Sequence, residues 1–121
     1  PNDASIVLQL VSGQARALLT GDLEREGLLE LTGVDVASDL LKVAHHGSAD
    51  ALATEWYAAV RPKTAVISVG PNHYGHPSPR TVAALRRAGA TVLTTQDEGD
   101  VGFVASATGF VRFAPRWGGN W

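Results

Sequence analysis

The sequence predicts an α/β domain built on one mixed β-sheet with helices on one face. Short apolar runs rich in β-branched residues alternate with amphipathic runs of helix formers. The predicted order is strand, strand, helix, strand, helix, strand, helix and then three strands. The chain has 121 residues, 45% of them hydrophobic, which is enough for a single domain with a sizeable core.

The first elements are predicted to be a hairpin and a short helix. Residues 5–11 and 15–19 are apolar and β-rich on either side of a Ser-Gly-Gln turn, which is typical of two paired strands. Residues 23–31 combine leucines with charged residues in the pattern of an amphipathic helix. Asp22 then stands at the start of this helix, as its N-cap or just before it.

The middle of the chain predicts two strands and a helix. The apolar run 40–44 reads as a buried strand that ends at two adjacent histidines. A helix is predicted over 51–60, where good helix formers stop before Pro62. The β-branched run 64–69 predicts another strand. It leads into a polar, aromatic and proline-rich loop over 70–79.

The last third predicts one helix and three strands. The helix begins with Pro79 in its first turn and ends near Gly89, which are favoured residues for those two positions. The remaining predictions, in chain order, are a strand over 91–94, a turn over 97–100, a hairpin formed by 101–107 and 110–113, and a loose tail over 116–121.

Composition excludes several classes of function. The absence of cysteine excludes disulfides, thiolate zinc sites and cysteine nucleophiles, and leaves histidine and carboxylates as metal ligands. A net charge of −2 provides no bulk basic field for binding nucleic acid, so any such contact would be local. No apolar run approaches the roughly 20 residues that span a bilayer, so we expect a soluble domain. The abrupt start of the sequence suggests a segment of a longer polypeptide.

Three loops that each follow an apolar strand contain all four histidines and one aspartate. They are centred on Asp22, on His45 and His46, and on the stretch 72–77. Because the carboxyl ends of parallel strands meet at one edge of a sheet, we expect these loops to form one site. Imidazoles together with a carboxylate suit zinc or manganese.

Each loop also has an ordinary structural interpretation. Asp22 alone is more often a helix cap than a metal ligand. Adjacent histidines are common as core or surface residues, and the stretch 72–77 could be a solvated loop. The joint pattern favours a site, because packing does not require all the histidines to follow strands.

Three motifs in this order resemble a known family. They are Leu-Thr-Gly-Asp-Leu-Glu at 19–24, Leu-Leu-Lys-Val-Ala-His-His-Gly-Ser at 40–48 and Asn-His-Tyr-Gly-His-Pro at 72–77. Together they resemble the C-terminal half of a metallo-β-lactamase-fold domain, in the variant found at the C-terminus of the ComEC family of DNA-uptake competence proteins. The likeness runs from about residue 2 to 103. On this basis residues 1–115 are interpreted as the half-domain.

The resemblance implies half of a four-layer αββα sandwich and a site for two divalent metal ions, zinc or manganese, between its two sheets. It implies that Asp22 bridges the two ions and that His45 or His46 ligates one of them. The sequence leaves the choice open, because adjacent strand residues point in opposite directions. The histidine that is not a ligand would contact the substrate or orient a ligand.

The third motif supplies the remaining candidate residues. The resemblance makes His76 a catalytic residue, which touches the substrate phosphate or donates a proton to the leaving oxygen. Ser48, Asn72 and Tyr74 are candidates to bind the phosphate through hydrogen bonds.

One part of the family pattern is missing from this sequence. The first metal motif of the family, His-x-His-x-Asp-His, lies in the N-terminal half of the domain and does not occur here. We therefore expect weak or no metal binding and no catalysis by this chain alone. A half-sandwich also leaves one apolar sheet face open, which predicts self-association.

The sequence thus predicts part of a metal-dependent phosphodiesterase or nuclease that acts on single-stranded DNA in competence-type DNA uptake. Its expected partners are DNA and the missing N-terminal half. The expected parent is a bacterial membrane protein with this domain outside the bilayer. Two alternatives stay open: a non-catalytic module that binds nucleic acid or a partner protein, and a hydrolase of another ester, such as a phosphocholine ester or a lactone.

Overall fold

The structure, a computed structural model, describes residues 4–113 of the chain. Within these residues the chain forms seven strands and four α-helices. The strands are β1 (Leu8–Ser12), β2 (Ala15–Leu19), β3 (Leu40–Lys42), β4 (Thr64–Ile67), β5 (Thr91–Thr94), β6 (Gly102–Ser106) and β7 (Gly109–Phe113). The helices are α1 (Arg25–Glu30), α2 (Thr54–Val60), α3 (Pro79–Arg87) and α4 (Thr95–Glu98).

The first five strands form one mixed sheet in the order β1-β2-β3-β4-β5. The β1 strand is antiparallel to β2, and the remaining strands run parallel to β2. A helix connects each parallel strand to the next, and such connections are right-handed, so α1, α2 and α3 lie on the same face of the sheet. The predicted mixed α/β fold is confirmed.

The core lies between this sheet face and the helices. In register across the sheet, Leu18 of β2 is opposite Leu41 of β3, which in turn is opposite Ala65 of β4. All three are buried, and Trp56 and Tyr57 of α2 pack against them. Burial raises the pKa of Tyr57 to about 12, so this phenol stays protonated. Its hydroxyl donates to the backbone carbonyl of Ala51.

The opposite sheet face is partly open. Leu8 and Leu10 of the edge strand β1 point to this face and are 52% and 56% exposed. Only part of the face is covered, where β7 contacts β2. Exposed leucines on an edge strand favour association with another surface. The self-association expected from the sequence stays a prediction.

The last hairpin differs from the sequence-based prediction. The β6 and β7 strands pair with each other in a separate two-stranded sheet and do not extend the main sheet. The turn predicted over 97–100 is replaced in part by the short helix α4, which begins at Thr95. The Thr94 hydroxyl accepts a hydrogen bond from the backbone N–H of Asp97, which caps this helix and ends β5. The chain then leaves the sheet edge at Gly99, whose φ is +71°.

Several predicted elements are shorter than expected. The strand predicted over 40–44 ends at Lys42, and the helix predicted over 23–31 spans only α1 before a 3₁₀ turn. The tail predicted over 116–121 lies outside the described residues. None of the helices within residues 4–113 has the length and hydropathy needed to cross a bilayer.

Candidate functional site

Three polar loops meet at the carboxyl ends of the parallel strands, as the sequence predicted. The backbone N–H of His45 donates to the carbonyl of Gly21 at 2.9 Å, which joins the loop after β3 to the loop after β2. The N–H of Ser78 donates to the carbonyl of Gly47, also at 2.9 Å, which joins the loop after β4 to the loop after β3. The loop after β3 is therefore the centre of the site.

The backbone of this central loop is left-handed at three consecutive residues. The φ angles are +51° at His45, +55° at His46 and +73° at Gly47. A left-handed conformation costs a residue with a Cβ about 1–2 kcal/mol. Surrounding contacts must therefore hold the two histidines in place, and such strain is concentrated at functional sites. Because the strand has already ended, the alternation expected for adjacent strand residues does not apply to them.

His46 points towards Asp22. Its Nδ1 lies 2.7 Å from the backbone carbonyl oxygen of Ser68. Since a carbonyl oxygen only accepts hydrogen bonds, Nδ1 carries the proton, and a neutral ring then has a lone pair on Nε2. This Nε2 lies 3.7 Å from Oδ1 of Asp22, which is too far for a hydrogen bond. With the ring neutral, two electron-pair donors face one another, an arrangement that suits a cation.

Asp22 does not cap the helix that follows it. The N-cap position of α1 is occupied by Glu24, so the structural interpretation of Asp22 as a cap is excluded. The Asp22 backbone N–H donates to the hydroxyl of Ser5 at 3.1 Å, and about half of its side chain is exposed. Its carboxylate is therefore presented to solvent at the mouth of the site.

His45 is oriented by Ser48. The Ser48 hydroxyl lies 3.1 Å from Nδ1 of His45, and Ser48 is buried. The contact between Ser48 and a phosphate stays a prediction, and in the structure the Ser48 hydroxyl hydrogen-bonds the His45 ring. The ring centroid of His45 lies 5.8 Å from that of His76 and 6.4 Å from that of His46. The structure thus brings the three imidazoles together.

Asn72 organises the loop after β4. Its Nδ2 donates to the carbonyls of Gly70 at 2.9 Å and His76 at 2.8 Å. Its Oδ1 accepts from the N–H groups of Tyr74 at 2.9 Å and His76 at 3.2 Å. All four positions of the amide are therefore used within the loop. The phosphate contact of Asn72 stays a prediction, and in the structure its amide holds the backbone of His76 and Tyr74.

Tyr74 and His76 form the outer wall of the site. Their ring centroids are 5.7 Å apart and the ring planes are inclined by 27°, so the rings are stacked. Within residues 4–113, no hydrogen bond occupies the ring nitrogens of His76. The two rings and His46 line an open cleft of ≈ 440 Å³. His76 can therefore exchange a proton with a molecule bound in this cleft.

Two contributors to the site were not predicted from the sequence. The Ser68 carbonyl fixes His46, and the Thr95 hydroxyl accepts from the N–H of Val69 at 2.8 Å and donates to its carbonyl at 2.9 Å. Thr95 thereby fixes the end of β4 beside the cleft. Neither role has a local sequence signal, because each contact joins residues more than twenty positions apart.

The donor set fits a divalent ion in part. Zinc bonds of about 2.0–2.2 Å in tetrahedral geometry separate two ligand atoms by roughly 3.4 Å, near the distance between His46 and Asp22. Nitrogen and carboxylate oxygen suit zinc and manganese. Within the described range 4–113, however, no three such side chains are grouped closely enough to hold an ion.

The fold and the site define a mixed α/β domain with a histidine and carboxylate cluster at the carboxyl ends of its parallel strands. Comparison with known proteins adds two relatives. The chain is 40% identical over 103 residues to ComE operon protein 3 of Bacillus subtilis (strain 168), and 36% identical over 106 residues to Competence protein ComA of Neisseria gonorrhoeae. No protein-family model matches the chain.

Both relatives are much longer than this chain. The matches cover 83% and 84% of the chain, but only 13% of ComE operon protein 3 and 15% of ComA. The chain is thus homologous to one segment of each of these competence proteins.

Proposed function

We propose that this chain is the C-terminal half of a metal-dependent phosphodiesterase domain that acts on single-stranded DNA during competence-type DNA uptake. The observation that carries this proposal is the approach of His46 Nε2 to Asp22 Oδ1, with the opposite ring nitrogen bound to a backbone carbonyl. Metal-ligating histidines commonly donate their second N–H in this way. The names of the two relatives support the DNA-uptake context.

In the proposed site, Asp22 and His46 hold a divalent ion, zinc or manganese. A bound ion supplies charge stabilisation to a phosphate ester and lowers the pKa of nearby water. The geometry favours His46 over His45 as the ligand, because Nε2 of His46 faces the Asp22 carboxylate, whereas the His45 ring lies towards His76. The other ligands would come from the N-terminal half of a four-layer αββα sandwich.

His76 is proposed to donate a proton to the leaving oxygen. Asn72 fixes both the N–H and the carbonyl of this residue, so its imidazole is positioned from the backbone. The neighbouring His45 ring adds a second imidazole within 5.8 Å. A protonated imidazole at this point can complete the departure of an alkoxide.

The test compares single substitutions in the intact protein that contains this chain. Asp22→Asn and His46→Gln are expected to lower DNA cleavage on the order of 100-fold or more and to reduce bound metal, because each removes a ligand. His45→Gln should retain the metal. His73→Gln is the matched control, because it changes an exposed histidine in the loop after β4. It should leave DNA cleavage and bound metal unchanged.

Retention of metal and cleavage in both ligand variants would contradict the proposal.

A second function, a non-catalytic module that binds nucleic acid, is favoured by one observation: residues 4–113 contain no group of three metal ligands. DNA binding by an intact protein that neither holds metal nor cleaves would support this alternative. A hydrolase of another ester would cleave its own substrate and leave DNA intact.

A further inference from the structure

Tyr74 is an outlier among the aromatic residues of the described chain. It is 82% exposed, whereas Trp56 and Tyr57 are 1% and 2% exposed. It is also the most exposed of the large apolar side chains within residues 4–113. Aromatic side chains are among the largest contributors to burial, so the fold gains little from an aromatic ring at this position.

The loop nevertheless holds Tyr74 firmly. Its backbone N–H donates to Oδ1 of Asn72, which also accepts from the N–H of His76. The loop is anchored at its far end by the hydrogen bond between Ser78 and Gly47. One face of the Tyr74 ring is stacked on the His76 ring. An exposed ring on an ordered loop loses little conformational entropy when a ligand binds it.

The position of the ring suggests what it binds. Tyr74, His76 and His46 line the same cleft, so a ligand on the tyrosine ring lies beside the proposed metal and proton-donor groups. A phosphodiester of single-stranded DNA carries a flat base on each side of its phosphate. Aromatic residues in single-strand-binding proteins stack on such bases independently of sequence.

We propose that Tyr74 is a base-stacking residue, which receives the nucleobase next to the phosphate in the cleft. The inference rests on the proposed function for the identity of the substrate. It gives Tyr74 a contact with a base through its ring, whereas the sequence predicted a hydrogen bond between Tyr74 and the phosphate. It would also let a chain of net charge −2 bind DNA, since stacking does not need a basic field.

The experiment measures binding to the full chain by fluorescence anisotropy, without divalent metal, so that no cleavage occurs. The probes are a short labelled oligothymidylate and an abasic strand of the same length and charge. The wild-type chain is expected to bind the thymidylate about tenfold more tightly than the abasic strand. Tyr74→Leu should lose this preference, whereas Tyr74→Phe should keep it.

Phe113→Leu is the matched control, because it replaces the partly exposed ring of β7 and should retain the preference. Equal binding of both strands by the wild-type chain, no binding of either, or a preserved preference in Tyr74→Leu would overturn the proposal. These results are separable from the proposed function. Metal-dependent cleavage without a base preference refutes only the stacking, and a base preference without cleavage refutes only the enzyme.

Discussion

At the amino end of the parallel strands, Asp39 accepts hydrogen bonds and lies near a lysine, whereas at the carboxyl end Asp22 faces a histidine across 3.7 Å. Oδ2 of Asp39 accepts from the N–H of Arg16 at 3.0 Å, and Nζ of Lys63 lies 3.8 Å from Oδ1. Asp39 thus stabilises the amino end of the sheet, whereas the carboxylate of Asp22 remains available at the carboxyl end.

The backbone also differs between the two ends of the sheet. At the amino end the carbonyl of Asp39 accepts from the N–H groups of both Lys63 and Thr64, which extends regular pairing. At the carboxyl end His45 and His46 are left-handed. The strain and the available polar groups coincide, as is common where a structure is selected for binding or chemistry at some cost in stability.

The largest expected effect is on the packing of the carboxyl-end loops. A Cβ on Gly47 would lie 2.9 Å from Cβ of Pro77, and the φ of +73° is also unfavourable for alanine. We expect Gly47→Ala to lower the free energy of unfolding by about 2–5 kcal/mol, the sum of the left-handed and overpacking costs. Equilibrium unfolding in urea measures this loss.

Gly75→Ala is the matched control for Gly47→Ala. Gly75 also has a positive φ, +78°, but no atom lies within 4 Å of its ideal Cβ. It should therefore lose only the conformational part, about 1–2 kcal/mol. Equal losses in the two variants would show that contact between the two loops does not hold the site together.

A second pair of variants compares the two aspartates directly. Asp39→Ala leaves the part-buried N–H of Arg16 without its acceptor and should lower the free energy of unfolding by about 1–3 kcal/mol. Asp22→Ala removes only a long contact of a half-exposed side chain, so a change within about 0.5 kcal/mol is expected without metal. A larger loss at Asp22 would mean that this residue serves the fold.

The sequence predicted the order of the elements well because their patterns are local. The β2 and β4 strands are apolar and bounded by turn residues, and α3 has proline in its first turn. It did not predict that the last hairpin leaves the main sheet. In the structure Thr94 caps α4 at the end of β5, and the chain leaves the main sheet after this helix.

For the candidate site, the sequence predicted which loops meet but not how each side chain is used. The grouping followed from strand order alone. The choice between His45 and His46 depends on two left-handed residues and on a carbonyl 22 positions away. Asn72 did carry a local signal, since an asparagine side chain in a loop often hydrogen-bonds the backbone two residues further on, as it does here at Tyr74. The sequence could therefore have predicted that the Asn72 side chain hydrogen-bonds the backbone of its own loop.

A small gain in stability is expected at the one left-handed non-glycine residue at the amino end within the described residues. Arg61 has a φ of +51° and follows the last residue of α2, where its N–H donates to the carbonyl of Tyr57. Glycine is the preferred residue at such a helix end. Arg61→Gly is therefore expected to raise the free energy of unfolding by about 0.5–1 kcal/mol.

The corresponding change at the carboxyl end should give a different result. His46→Gly relieves the same backbone strain but removes the hydrogen bond to Ser68, which is worth about 1 kcal/mol, so little net gain is expected. Thermal unfolding of both variants at several protein concentrations measures the difference and corrects for association. If His46→Gly stabilised the chain as much as Arg61→Gly, the Ser68 contact would not be what holds His46 in its strained conformation.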